Sequence, residues 1–192
     1  MPNIIIGKDG VFQNGFFSSG STFSDDFSDG TLDPKWTVKH YDGTGSVTES
    51  NGTLEVDSNG SGDFWQSSDG GSFVYISTTE SKYEVEVDVT AASYYPTPSQ
   101  VGRLLQLRGQ DTADSRFAAF LFDGDSSHVT WVRRINDGDN ISVSGGDYAG
   151  DDTGQAFSSL PVRLRFEYDD PTVTWKVSTD GGNTYNTVHT ES

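Results

Sequence analysis

The chain has 192 residues, no cysteine, and 29 acidic against 12 basic side chains, a formal net charge of -17. That length suffices for one domain with a real core, and the missing cysteine removes disulfide frameworks, thiolate metal sites and cysteine nucleophiles. So acidic a chain repels phosphate backbones and anionic lipid, so nucleic acid is not expected as a partner, nor is membrane insertion. Of the acids, 22 are Asp and 7 are Glu. Asp favours turns and caps, whereas Glu favours helix interiors, so together with 22 Gly the composition reads as strands joined by tight turns. No charged segment followed by an apolar one marks a signal peptide, and Met1 argues for an unprocessed start.

Residues 1–22 stand apart. The apolar pieces Ile4-Ile5-Ile6, Val11-Phe12 and Phe16-Phe17 alternate with Gly-containing turns. They read as an N-terminal arm, either folded back as an edge strand or lying on a neighbouring subunit. Exposed, three such patches would be a liability, so docking suits them. Ile4, Ile5, Ile6, Phe12, Phe16 and Phe17 are the expected anchoring residues.

From Phe23 strand signals recur at short intervals. Thr53-Leu-Glu-Val-Asp alternates, Phe73-Val-Tyr-Ile-Ser is a short apolar run, and Tyr83, Val85, Val87 and Val89 share one face of a strictly alternating segment. Arg103-Leu-Leu-Gln-Leu-Arg follows. Phe117–Phe122 and Val129–Ile135 flank Asp123-Gly-Asp-Ser-Ser-His as a hairpin, and Ile141-Ser-Val is a short strand. Val162–Tyr168 and Thr172–Ser178 flank Asp169-Asp-Pro171 as another hairpin. No segment carries a sustained 3.6-residue period. The pattern predicts an all-β, two-sheet antiparallel sandwich over residues 23–192, with Trp36, Trp131 and Trp175 in its core.

Two motifs resemble a family. Phe23-Ser-Asp-Asp-Phe27 with Gly30-Thr-Leu-Asp-Pro-Lys-Trp36, and Leu160-Pro-Val-Arg-Leu-Arg-Phe with Val173-Thr-Trp-Lys-Val-Ser-Thr-Asp-Gly-Gly-Asn-Thr-Tyr185, look like the first and last strands of concanavalin A-like (laminin-G-like) jelly rolls. The resemblance implies a jelly-roll sandwich, with sugar binding or sugar cleavage common among relatives. It does not assign a function by itself.

Candidate chemistry follows from local clusters. Ser178-Thr-Asp180-Gly-Gly182-Asn-Thr184-Tyr185 resembles the Asp-box turn of sialidase propellers, in which the Asp accepts backbone N–H groups and the glycines take positive φ. Ser67-Ser-Asp-Gly-Gly-Ser-Phe73 is a shorter imitation. Glu84, Glu86 and Asp88 share a strand face at roughly 6.5–7 Å spacing, which a glycosidase carboxylate pair can use. They loosely resemble the acidic strand of laminarinase-like glucanases, without its bulge residue or a flanking Trp. The plainer reading is a solvent-facing polar stripe. Asp-rich loops, including Asp25-Asp26, Asp151-Asp152 and Asp169-Asp170, suggest turns or a structural calcium, with Asp123, Asp125, Asp137 and Asp139 as candidate ligands. No cofactor is required. His40, His128 and His189 show no zinc spacing. Arg133-Arg134 and Arg163/Arg165 are expected to balance local carboxylates. Trp65, Tyr94, Tyr95 and Tyr148 fall in loop-like settings and are the candidate glycan-stacking aromatics.

With no convincing catalytic set, an acidic cysteine-free chain and an apolar leader, the sequence points to a non-enzymatic surface module of a larger assembly. A virion structural protein (capsid-decorating, fibre or tail component) with glycan adhesion is the reading preferred. Its partners would be other protein subunits, in a homo-oligomer or multi-copy assembly on the virion surface. A free extracellular carbohydrate-binding lectin is the alternative, and a glycoside hydrolase using Glu84, Glu86 and Asp88 the second.

Overall fold

A computed structural model describes residues 3–6, 10–18, 22–40, 45–57, 72–92, 101–109, 117–123, 128–134 and 160–192. Among them are fourteen strands and no helix. The first seven are β1 (Asn3–Ile6), β2 (Gly10–Ser18), β3 (Thr22–Asp25), β4 (Thr37–His40), β5 (Ser46–Ser50), β6 (Thr53–Asp57) and β7 (Ser72–Ser77). The others are β8 (Lys82–Ala92), β9 (Val101–Arg108), β10 (Phe117–Asp123), β11 (His128–Arg134), β12 (Val162–Asp169), β13 (Thr172–Ser178) and β14 (Asn186–Glu191).

All pairings are antiparallel and form two sheets. The six-stranded sheet runs β11-β10-β9-β1-β7-β4; the eight-stranded sheet runs β14-β13-β12-β8-β2-β6-β5, with β3 beside β2. The predicted hairpins are present: Asp123 pairs with His128 across β10 and β11, and Asp169 with Thr172 across β12 and β13.

Period-two alternation decides which side chains go inside. On β8, Tyr83, Val85, Val87 and Val89 are buried; on β12 so are Val162, Leu164 and Phe166. They meet Val74, Leu105, Leu107, Phe120, Val129 and Trp131 of the other sheet in one hydrophobic cluster. Phe120 and Phe166 approach to 4.9 Å between ring centroids, and Trp131 and Trp175 to 5.7 Å, so aromatic pairs bridge the layers. The architecture is a two-layer antiparallel β-sandwich.

The leading segment differs from the expected arm. The β1 backbone pairs with β7 on one side and β9 on the other, in the middle of the six-stranded sheet. The β2 backbone pairs with β8 along one side; along the other it pairs with β6 through Gly10–Phe12 and with β3 through Gly15–Ser18. The expected boundary at residue 22 thus falls inside a strand. An extended Gly-punctuated segment has one donor and one acceptor per residue to satisfy, and two flanking strands satisfy both. Of Ile4, Ile5, Ile6, Phe12, Phe16 and Phe17, the backbone alone is described.

The Phe23-to-Trp36 motif acts as a core staple. The Asp25 carboxylate accepts the Phe27 N–H at 2.9 Å and the Trp36 indole N–H at 3.0 Å. Phe27 sits at φ 53 with its ring fully buried, while Gly52 N–H donates to its carbonyl at 2.9 Å. The left-handed conformation costs about 1–2 kcal/mol, and burying a Phe side chain offsets it with about 1.5–3 kcal/mol.

Candidate functional site

The outer face of the eight-stranded sheet carries the acidic stripe of β8. Register sets Glu86 opposite Arg165 and Asp88 opposite Arg163. Arg163 grips Asp88 through two hydrogen bonds of 2.6 and 2.7 Å. Arg165 donates to Glu86 at 3.0 and 2.8 Å and reaches Glu84 at 3.5 Å. Lys176 extends the ladder to Glu167 at 2.6 Å. The hydrogen bonds from Arg163 to Asp88 hold that guanidinium above its ordinary range. For Arg165 burial pulls down most strongly, yet the hydrogen bonds and charge of Glu86 outweigh it. All three carboxylates of the stripe are therefore committed to cations. A glycosidase pair must face a substrate, and each of these carboxylates has an arginine within ion-pair distance.

The Asp-box turn closes one end of that ladder. The Ser178 hydroxyl donates to Asp180 at 2.7 Å and accepts the Gly182 N–H at 2.8 Å. Asp180 also accepts from the Thr184 N–H at 2.9 Å and the Thr184 hydroxyl at 2.7 Å. These bonds, with Thr184 first, hold its carboxyl at about 2. Gly181 and Gly182 take φ 75 and 92. A Cβ on Gly182 would lie 2.7 Å from Arg163 Nη1, so turn and ladder are built against each other. The Tyr185 hydroxyl donates to Glu86 at 2.7 Å and its ring lies under Arg165 at 4.0 Å.

Beside the ladder, a cavity of about 610 Å³ is bordered by Asp25, Asp26, Asp29, Asp33, Glu86 and Arg163. Its aspartates act as turn formers. Asp25, Asp26, Asp29 and Asp33 each accept the N–H two residues on, at 2.9, 3.1, 2.8 and 2.8 Å. Among the described residues no group of three or more His, Asp or Glu is arranged to hold a metal ion.

A second cleft, of about 340 Å³, opens near the β12–β13 turn. The strand pair beside it is irregular. The β13–β14 register shifts between Trp175 and Lys176, making Val188 the extra residue and setting His189 opposite Trp175 and Glu191 opposite Val173. His189 stacks on Trp131 at 3.7 Å and 11°, and Glu191 forms an ion pair with Arg133 of the opposite sheet. Burial among these rings pulls the His189 imidazole below its ordinary range. In the cleft wall the Tyr83 and Tyr168 rings lie 5.0 Å apart, and the Tyr168 hydroxyl donates to Asp170 at 2.8 Å. Arg133 Nε is buried and has no hydrogen-bond partner among the described residues.

The expected glycan aromatics Trp65, Tyr94, Tyr95 and Tyr148 lie outside the described residues, as do Asp125, Asp137 and Asp139. Asp123 ends β10, where its backbone alone is described. Trp36, Trp131 and Trp175 are buried as the alternation predicts. Sequence reasoning missed His189, Glu191 and Tyr168 as partners in one region. The only signal was inward-facing polar residues on a terminal strand, and the bulge that creates it carries no sequence mark.

Comparisons with protein-family models, with curated proteins and with solved structures find no match for this chain.

Proposed function

We propose that the protein is a non-catalytic surface module of a larger, multi-copy assembly, a virion structural component of the capsid-decorating, fibre or tail kind, with glycan adhesion as its active role. The observation that carries the non-catalytic half is the ladder: Glu84, Glu86 and Asp88 are each within ion-pair distance of Arg163 or Arg165. A sandwich whose motifs resemble concanavalin A-like jelly rolls supports the adhesive half, and the net charge of -17 suits a surface that keeps particles apart. Trp65, Tyr94, Tyr95 and Tyr148 are the candidate stacking rings, and Asp123, Asp125, Asp137 and Asp139 the candidate calcium ligands.

One observation favours a free lectin as the second reading. With β1 and β2 paired inside the sheets, the backbone of the first residues supplies no separate tether. Two measurements decide. Mass spectrometry of particles from the source should find the chain as a repeated copy; its recovery only as a free protein selects the lectin. A panel of β-glucans should stay intact on incubation with the protein, and release of reducing ends lost in Glu84→Gln would restore the hydrolase reading.

A further inference from the structure

The strands β11 and β14 are each the last strand of their sheet, and they meet across the layers of the sandwich. The His189 ring stacked on Trp131 and the Glu191–Arg133 ion pair join them. Little else holds β14. It pairs with β13 alone, a bulge interrupts that pairing, and none of its side chains is fully buried. A segment with so few buried contacts belongs to the low end of local stability.

His189 is the member of this contact whose charge changes between about pH 5 and 8. Its docked position suits the neutral ring. Nε2 is buried without a hydrogen-bond partner among the described residues, and Glu191 Oε2 lies 3.8 Å away. An imidazolium has two N–H donors; docked, it would leave one unmet, whereas water satisfies both. The charged groups facing the ring are Glu191 of its own strand and Arg133 of β11. On its β13 side stands Trp175, while Lys176 of that strand is held by Glu167 on the outer face. The cleft beyond Glu191 also holds Arg108 of β9 and Asp170. Glu191 attracts an imidazolium but is already paired with Arg133, whose charge repels one. Burial opposes the proton most strongly, and with Arg133 it outweighs Glu191. The docked ring therefore takes up a proton less readily than a ring in water, so acid favours the undocked conformer.

We propose that β14 is an acid-released strap: protonation of His189 frees this C-terminal strand from β11 while the rest of the sandwich stays folded, and β13 becomes the sheet edge.

The test is amide hydrogen exchange on the full chain at about pH 7.5 and about pH 5, corrected for the intrinsic pH dependence of exchange, with NMR titration of the histidine rings. The His189 ring should titrate below the ordinary 6.5. The β14 amides should lose protection at least about threefold on acidification, and those of β8 and β12 should keep theirs. Asp180, held at about 2, titrates outside this interval. His189→Phe keeps a stacked ring without a titrating nitrogen, and should leave β14 equally protected at both pH values. A His189 midpoint at or above the ordinary value would mean that attraction by Trp131 and Glu191 prevails, and overturns the proposal. So does β14 protection that ignores pH in the wild type, an equal loss in β8 and β12, or the same loss in His189→Phe. Should that variant not fold, the wild-type titration and exchange decide alone.

Discussion

Asp180 shows how one exposed carboxylate organises a turn. It collects hydrogen bonds from Ser178 and Thr184 that exist only in the folded chain. Its carboxyl is therefore held at about 2, against an ordinary 3.8, so the folded chain binds the proton less readily than the unfolded one. The resulting stabilisation is full above the unfolded value and disappears as pH falls from about 4 towards 2. Asp180→Asn should lower the urea midpoint at pH 7, and the gap between variant and wild type should close as the pH approaches 2. A gap independent of pH would mean that the carboxylate charge plays no part. This turn was legible in the sequence because its bonds are local: Ser, Asp, Gly and Thr stand at spacings of two to four residues and need no partner elsewhere.

At the scale of the strand, legibility followed burial. The segments β6 to β13 were readable because each has two or more apolar residues in a run or on one face. The missed strands β4, β5 and β14 (Thr-Val-Lys-His, Ser-Val-Thr-Glu-Ser and Asn-Thr-Val-His-Thr-Glu) carry one aliphatic residue each. All three are sheet edges, where one side of the backbone is unpaired and less side-chain burial is required. The outer-face ladder was legible only as a stripe of acids, since Arg163 and Arg165 lie more than seventy positions away along the chain and meet β8 through register. Glu86 is its hub, 13% exposed and shared by Arg163, Arg165 and Tyr185. Glu86→Gln should destabilise the fold by about 1–3 kcal/mol in chemical denaturation, because it leaves Arg165 without its main counter-charge. Lys82→Met, removing a pair whose side chains are 76% and 68% exposed, should leave the midpoint where it is. Equal effects of the two substitutions would remove the argument that the ladder is structural.

For the whole molecule, the decisive feature is the place of the first two strands. A module carried on a tether would keep its fold when the tether is cut. Here β1 lies between β9 and β7, and β2 lies between β8 and β6. Deleting residues 2–20 should therefore yield protein without a cooperative thermal transition, as read by calorimetry; a deletion variant that melts like wild type would show the sheets to be complete without these strands. Multiplicity matters at this scale too. Display in many copies, as proposed, would raise a weak contact by about 10²–10⁴ in avidity without any new interaction. The same topology has a consequence for biosynthesis. The second neighbour of β1 ends at Arg108, so the opening residues leave the ribosome long before the chain that completes their sheet exists. At ~5–20 residues per second that wait lasts roughly 5–20 s. Throughout it the nascent Ile4-Ile5-Ile6 segment lacks one flanking strand, while Phe16-Phe17 has β3 early and waits only for β8, and it is in this interval that a holdase chaperone would matter most.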